Sequence, residues 1–301
     1  MFTDLVVRSK CSSATIPRMV PLTIECALEE GLKRMAVVSE STTSDTLVLL
    51  AHALGKEKTW LFAHRDQKLN ENEQERWQAA LDTYAMGVPL PYVIGEWEFY
   101  GLKLKVTPAV LIPRPETELL VESGLRWLGA HPGRRRALDV GTGSGCIAVA
   151  LAANVPDLRL TATEISHEAL EVARANIERY QLSQRVNLVE TNLMDGIQEP
   201  FDLISSNLPY IPDERLPYLE VSRWEPGVAL GGGPDGLRFI QPFLEQAATR
   251  LSPRGVVLAE IDAPLEDPVQ KLAGSHWPGA HIAVRRDLAG LPRLLVVDND
   301  P

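Results

Sequence analysis

The stretch "RRALDVGTGSGCIAVALAANVPDLRLTATE", Arg135–Glu164, decides the fold. RRALDV reads as a strand that stops on a glycine-rich turn, GTGSG. CIAVALAANV reads as a helix that is apolar all round, and LRLTATE as a second strand. Strand, helix and strand in close succession specify a parallel pair with a crossover helix. Glycines in the turn permit positive φ and a close approach of backbone to ligand, and the helix behind them presents free N–H groups. The dinucleotide fingerprint G-x-G-x-x-G fails, because its last position is Cys146. The Gly-Lys-Ser/Thr of a P-loop is absent. What remains, G-x-G-x-G after Asp139, suits a nucleoside with an amino-acid tail rather than a pyrophosphate.

The rhythm continues downstream. SHEALEVARANIERYQL is a helix with Ser166 as its cap, followed by strands RVNLVET and FDLISSN. Helix RFIQPFLEQAATRLS and strand GVVLAEID come next. HIAVRRD and RLLVVD are expected as antiparallel edge strands. This alternation predicts an α/β fold with a mainly parallel sheet covered by helices on both faces. GRRR, Gly133–Arg136, is expected as a solvated loop. Upstream, Leu22 to about Met86 has helical spacing, with stops at Gly55 and Gly87. A hairpin is expected over Tyr92–Phe99 and Leu102–Val106, and a helix from Glu116 to about Gly129. Pro113 and Pro115 stiffen its entry. The boundaries are therefore 1–20, an extension expected to be disordered; 21–87, a small helical domain; 88–112, a β-hairpin linker; and 113–301, the α/β domain.

The chain of 301 residues carries 30 Lys+Arg against 40 Asp+Glu, a formal charge of −10. Such a balance disfavours generic nucleic-acid binding. The three cysteines, Cys11, Cys26 and Cys146, and the six histidines show no ligand spacing, so no metal is expected. Scattered, odd-numbered cysteines fit a reducing compartment, and a cytoplasmic location is expected. No apolar run is long enough to span a bilayer, and MFTDLVVRSKCSSATIPRMV is a poor signal peptide.

Ligands of such sheets bind at the carboxyl ends of the strands. The second strand ends at Glu164, an acid suited to the two hydroxyls of a ribose. The third ends at Thr191-Asn192-Leu193, where side chains can meet an adenine ring. Together with the glycine turn they outline a pocket for S-adenosylmethionine. The fourth strand ends in SSNLPY. An amide nitrogen, or an amino group on an aromatic ring, is a poor nucleophile because its lone pair is delocalised. It must be held with its N–H groups accepted. The Asn207 side-chain oxygen is one acceptor, and the backbone carbonyl of Leu208 is expected as the second. Pro209 lacks an N–H and biases Leu208 towards an extended backbone. Tyr210 offers a flat face to a planar group. Alone, NLPY reads equally well as an Asn turn at a strand end.

These motifs resemble the PrmC/HemK family of peptide chain release factor N5-glutamine methyltransferases. The similarity runs through SDTLVLLAHALG, PLPYVIGEWEFYG, LIPRPETELLVE, LDVGTGSGCIAVALA, FDLISSNLPYIP, EPGVALGGGPDGL and RDLAGLPRLLVV. The resemblance implies a class I (Rossmann-like) methyltransferase sheet. It implies methylation of the glutamine in the Gly-Gly-Gln loop of release factors, leaving S-adenosylhomocysteine. Gly141, Thr142, Gly143, Ser144 and Gly145 would line the methionine and ribose side of the cofactor. Glu164 would hold the ribose, and Asn192 and Leu193 would lie by the adenine. Asn207, Leu208, Pro209 and Tyr210 would hold the glutamine amide, with Asn207 also beside the cofactor. Phe99 and Arg114 would help close the pocket; Arg114 and Glu116 read equally as a helix-start ion pair. The helical domain would contact the release factor, and a monomer without nucleic acid or membrane is expected. The departures are NLPY for NPPY, Glu164 for the usual Asp, Asn192-Leu193 for an acidic–aromatic pair, and EIDAPLEDP without its usual glycine. NLPY is also compatible with adenine-N6 methyltransferases acting on RNA or DNA, which should carry a basic nucleic-acid surface.

Overall fold

The computed structural model describes residues 22–36 and 41–300, so the expected extension, residues 1–20, lies outside the described residues. Two compact units meet in sequence at Gly87 and Val88.

The first unit holds α1 (Ile24–Met35), α2 (Thr42–Leu54), α3 (Lys58–Ala63) and α4 (Glu71–Ala85). The starts and stops are chemical. The Thr23 hydroxyl accepts from Cys26 N–H, and Gly55 ends α2 in the left-handed conformation. Asn70 and Glu73 exchange side-chain and backbone hydrogen bonds as a capping box for α4. Trp77, Ile24, Leu49, Leu50 and Leu61 are fully buried and form the interior of this unit. Trp60 is only half-buried and stacks on His64. The short α3 was not predicted, because six residues are too few to display a helical period.

The second unit opens with α5 (Leu90–Ile94), then β1 (Glu96–Phe99) and β2 (Leu102–Lys105). The expected strand over Tyr92–Phe99 is thus only half strand. Pro89 and Pro91 fix φ for a helical turn, and Gly95 ends it in the left-handed region. The Tyr92 hydroxyl donates to the Val110 carbonyl, 2.6 Å away. Then come α6 (Glu118–Ala130), β3 (Arg136–Val140), α7 (Cys146–Asn154), β4 (Arg159–Glu164), α8 (His167–Arg179), β5 (Val186–Glu190) and β6 (Phe201–Ser206). The unit closes with α9 (Ile240–Arg250), β7 (Leu251–Glu260), α10 (Glu266–His276), β8 (His281–Arg286) and β9 (Pro292–Asp298).

The seven strands lie in the order β5-β4-β3-β6-β7-β9-β8. The first five are parallel; β9 is antiparallel to both β7 and β8. Of the two strands expected at an edge only β8 lies at one, and β5 forms the opposite edge. β9 slots between β7 and β8, because LLVV is apolar on both faces and both faces are covered. α7 buries Ile147 through Ala152 and starts from Gly145. The run GRRR is not a free loop. Arg134 pairs with Asp202 at 2.9 Å and Arg135 with Asp157 at 2.7 Å, pinning the entry to β3, while Arg136 lies over the Phe201 ring. Helix α10 was also unpredicted; Pro268 inside its first turn masks its start.

Candidate active site

At the carboxyl ends of β3, β4, β5 and β6 lies a cleft of about 1030 Å³, counted out to its mouth. Its floor is the glycine turn. The Gly141 and Thr142 N–H groups both donate to the Thr163 carbonyl at 2.9 Å, which ties the turn to β4. Gly141 has φ +69°, and a Cβ there would stand 2.9 Å from Leu208 Cδ2. The Leu208 side chain is itself buried, so this residue seats the corner after β6 against the glycine turn. At Gly143, φ +55°, an added Cβ meets nothing within 4 Å, so the backbone is bare where it lines the cleft.

Asp139 underlies the turn, fully buried. The Thr142 hydroxyl donates to one of its oxygens at 2.7 Å, and the Ser205 hydroxyl to the other at 2.8 Å. Burial pushes its carboxyl up to about 6, with nearby Glu164 adding to the rise and the two hydroxyls opposing it. Glu164 ends β4 with its carboxylate held by three backbone N–H groups, those of Gly143, Ile165 and Ser166. Asn176, buried on α8, clasps two elements at once. It exchanges hydrogen bonds with the Lys105 backbone of β2 and donates to the Ser144 carbonyl of the turn.

The wall beside Asn207 is a polar relay. The Asn207 amide nitrogen donates to Thr117 Oγ1 at 3.2 Å, and Thr117 Oγ1 donates to Glu260 at 2.6 Å. The Tyr210 hydroxyl donates to the other Glu260 oxygen at 3.2 Å. Burial pushes the Glu260 carboxyl up; Thr117, Arg293 and Tyr210 pull it back, and Glu116 adds to the rise. Arg114 pairs with Glu225 rather than Glu116, and buried Glu225 also accepts from Ile112 N–H. This pairing fixes the backbone that lines the mouth. Cys146 faces the cleft as a thiol pushed up to about 12, first by burial and then by Asp139, so it is a protonated, unreactive group.

Most residues singled out in the sequence line this one cleft: Gly141, Thr142, Gly143, Ser144, Glu164, Asn192, Leu193, Asn207, Leu208, Pro209 and Arg114. Leu193 stands there with φ +48°, an uncommon backbone for its type. Three do not line it. Phe99 is buried in the core with Leu104 and Leu120, as the inward residue of a four-residue strand. Gly145 has φ +79° and lets α7 approach α8, where its Cβ would stand 3.3 Å from that of Ala173. Tyr210 turns its hydroxyl to Glu260 and packs its ring on the core. Thr117, Glu225 and Glu260 were missed. Thr117 sits inside the quoted IPRPETE and Glu260 ends an apolar strand, but nothing local joins them.

Among the described residues no group of His, Cys, Asp and Glu could hold a metal ion. None of their helices is long and apolar enough to cross a membrane. The donor set fits S-adenosylmethionine: a bare glycine backbone, the Glu164 carboxylate for a hydroxyl-bearing ligand, and apolar Leu193 for a flat ring.

Residues 27–95 match the PrmC N-terminal domain, and residues 117–218 the methyltransferase small domain. A release factor glutamine methyltransferase of Koribacter versatilis is 37% identical over 280 residues, covering 91% of this chain and 98% of that one. One from Geobacter sulfurreducens is 40% identical over 225 residues, covering 74% and 78%. The crystal structure of a methyltransferase from Pyrococcus furiosus superposes with a TM-score of 0.51 at 24% identity, covering 67% of this chain and 91% of that one, a likeness of fold.

Proposed function

Because the chain belongs to the family of release factor glutamine methyltransferases, we propose that it methylates the side-chain amide nitrogen, N5, of the glutamine in the Gly-Gly-Gln motif of peptide chain release factors, with S-adenosylmethionine as donor. The observation that carries this reading is the Asn207 amide. Its nitrogen is occupied by Thr117, and its oxygen has no partner among the described residues, at the wall of a cleft suited to the donor. When bound, S-adenosylmethionine supplies an electrophilic methyl group.

The chain's own residues position and shield. The bare backbone of Gly141–Ser144 holds the amino-acid tail, Glu164 the ribose hydroxyls, and Asn192 with Leu193 the adenine. Asn207 Oδ1 and the Leu208 carbonyl accept the two N–H groups of the substrate amide. Holding both aims the nitrogen lone pair and meets the positive charge that develops there. Pro209 keeps a competing N–H out of this corner. The N-terminal helical unit grips the release factor. The protein acts without nucleic acid, as a cytoplasmic monomer.

Incubation of the protein with a labelled methyl donor should label a purified release factor. The label should vanish when the Gly-Gly-Gln glutamine is replaced by alanine. Labelling of ribosomal RNA with no labelling of the release factor would overturn the proposal in favour of adenine-N6 methylation.

A further inference from the structure

The polar relay behind Asn207 has a direction. Glu260 is 3% exposed, and both its oxygens accept, one from Thr117 and one from Tyr210. Burial pushes its carboxyl up, and the Arg293 guanidinium, held by Asp287 at 3.3 Å, pulls it back. The 2.6 Å separation from Thr117 is that of a hydroxyl on a carboxylate. With each oxygen accepting a hydroxyl proton, Glu260 offers none to Thr117. The single proton of the Thr117 hydroxyl is therefore committed to Glu260, and towards Asn207 it has only lone pairs. Asn207 must meet it with Nδ2, as it does at 3.2 Å. Exchanging the two ends of the amide would set oxygen against oxygen at Thr117. It would also present an NH2 to the substrate nitrogen, donor against donor.

From this geometry, and resting on the glutamine-clamp reading of the site, we infer that Thr117 and Glu260 are positioning residues that hold the Asn207 amide in the orientation that accepts a substrate N–H. Both side chains are buried, Thr117 at the cleft wall behind Asn207, and they act through Asn207. The relay also joins three distant segments: the entry to α6, the end of β7 and the corner after β6. The selection of one amide orientation is thus a property of the folded unit and not of the NLPY tetrapeptide.

The test uses the full chain with Thr117→Val, Thr117→Ser and Glu260→Gln. Valine has the shape of threonine without the hydroxyl; serine keeps the hydroxyl. Thr117→Val should lower kcat for release-factor methylation about 30-fold while cofactor affinity by calorimetry stays within about threefold. Thr117→Ser should return to within about fivefold of the parent, and Glu260→Gln, with one acceptor oxygen for two donors, should lose about tenfold. The second readout is independent of turnover. The side-chain NH2 signals of Asn207, identified by their loss in Asn207→Asp, should move to the position of a free amide in Thr117→Val and stay put in Thr117→Ser. Unchanged signals in Thr117→Val, with or without loss of kcat, would overturn the inference, as would a serine variant as impaired as the valine one. If the parent fails to methylate any release factor, the functional reading fails, and the amide signals still decide the orientation.

Discussion

Asp139 is a carboxylate placed where water cannot reach it, and that has a cost that depends on pH. Its folded-state value of about 6 lies above the ordinary 3.8, so the folded protein binds this proton more tightly than the unfolded chain. The stabilising contribution is therefore complete below 3.8 and is lost as pH rises through about 6. Urea midpoints measured across that window should fall with rising pH by an amount worth up to roughly 3 kcal/mol from this group. Asp139→Asn should remove that slope while losing one of the two hydroxyl contacts to Thr142 and Ser205. At Asn207 the expectation is different in kind. Asn207→Ala should reduce methyl transfer by about 100-fold or more, yet leave cofactor binding by calorimetry nearly intact. An equal loss of both would mean that Asn207 serves the cofactor rather than the substrate amide. Asn207, Glu164 and Asp139 were legible in the sequence because each interrupts an apolar strand at or near its end, where burial of a polar group demands a reason. Thr117 and Glu260 were not legible as a pair. They are far apart in the chain, and one hydroxyl or one carboxylate has no evident role until its partner is known.

Among the elements, the run ALGGGPDGL shows why glycine recurs beside a site. Gly231 forms an isolated bridge with Ile211, and Gly232 N–H donates to the Ile211 carbonyl at 2.7 Å. A Cβ on Gly232 would stand 2.7 Å from the Tyr210 backbone, and one on Gly236, with φ +81°, 2.5 Å from the Tyr210 carbonyl oxygen. This loop is a brace that lies flush against the corner carrying Asn207 through Tyr210. Gly236→Ala combines a left-handed backbone with a backbone clash, and it should destabilise the fold by more than about 2 kcal/mol in urea unfolding. Its residual activity should fall with it, since the braced corner cannot stay in register. The strand–turn–helix reading of Arg135–Glu164 held because a glycine turn between two buried strands admits few alternatives. Elements near prolines were harder. A strand was expected from Tyr92, yet the preceding prolines start a helix as readily as they end one, and the Tyr92 hydroxyl on the Val110 carbonyl holds that turn. Arginines were harder still: GRRR looks like solvent-facing charge until Asp157 and Asp202 are seen across the sheet's base.

At the scale of the whole molecule, the division of labour between a helical unit and a sheet-bearing unit follows from composition, since helical spacing gives way to β-alternation at Gly87. The order of strands did not follow. Periodicity tells which segments are strands, but LLVV is equally apolar beside any neighbour, and its place between β7 and β8 is decided by which faces the helices leave to be covered. That placement governs how the domain comes into being. β8 emerges from the ribosome before β9, yet among the described residues pairs only with β9. β7 exposes an unpaired apolar flank until β9 arrives, and open flanks of this kind invite aggregation. The late RDLAGLPRLLVV segment also brings Arg293 to Glu260. The assembly of the wall beside Asn207 thus waits on β9, the last strand of this sheet in chain order. A nascent chain stalled short of Asp298 is left with an open sheet, and with a carboxylate at the end of β7 that has lost its counter-charge.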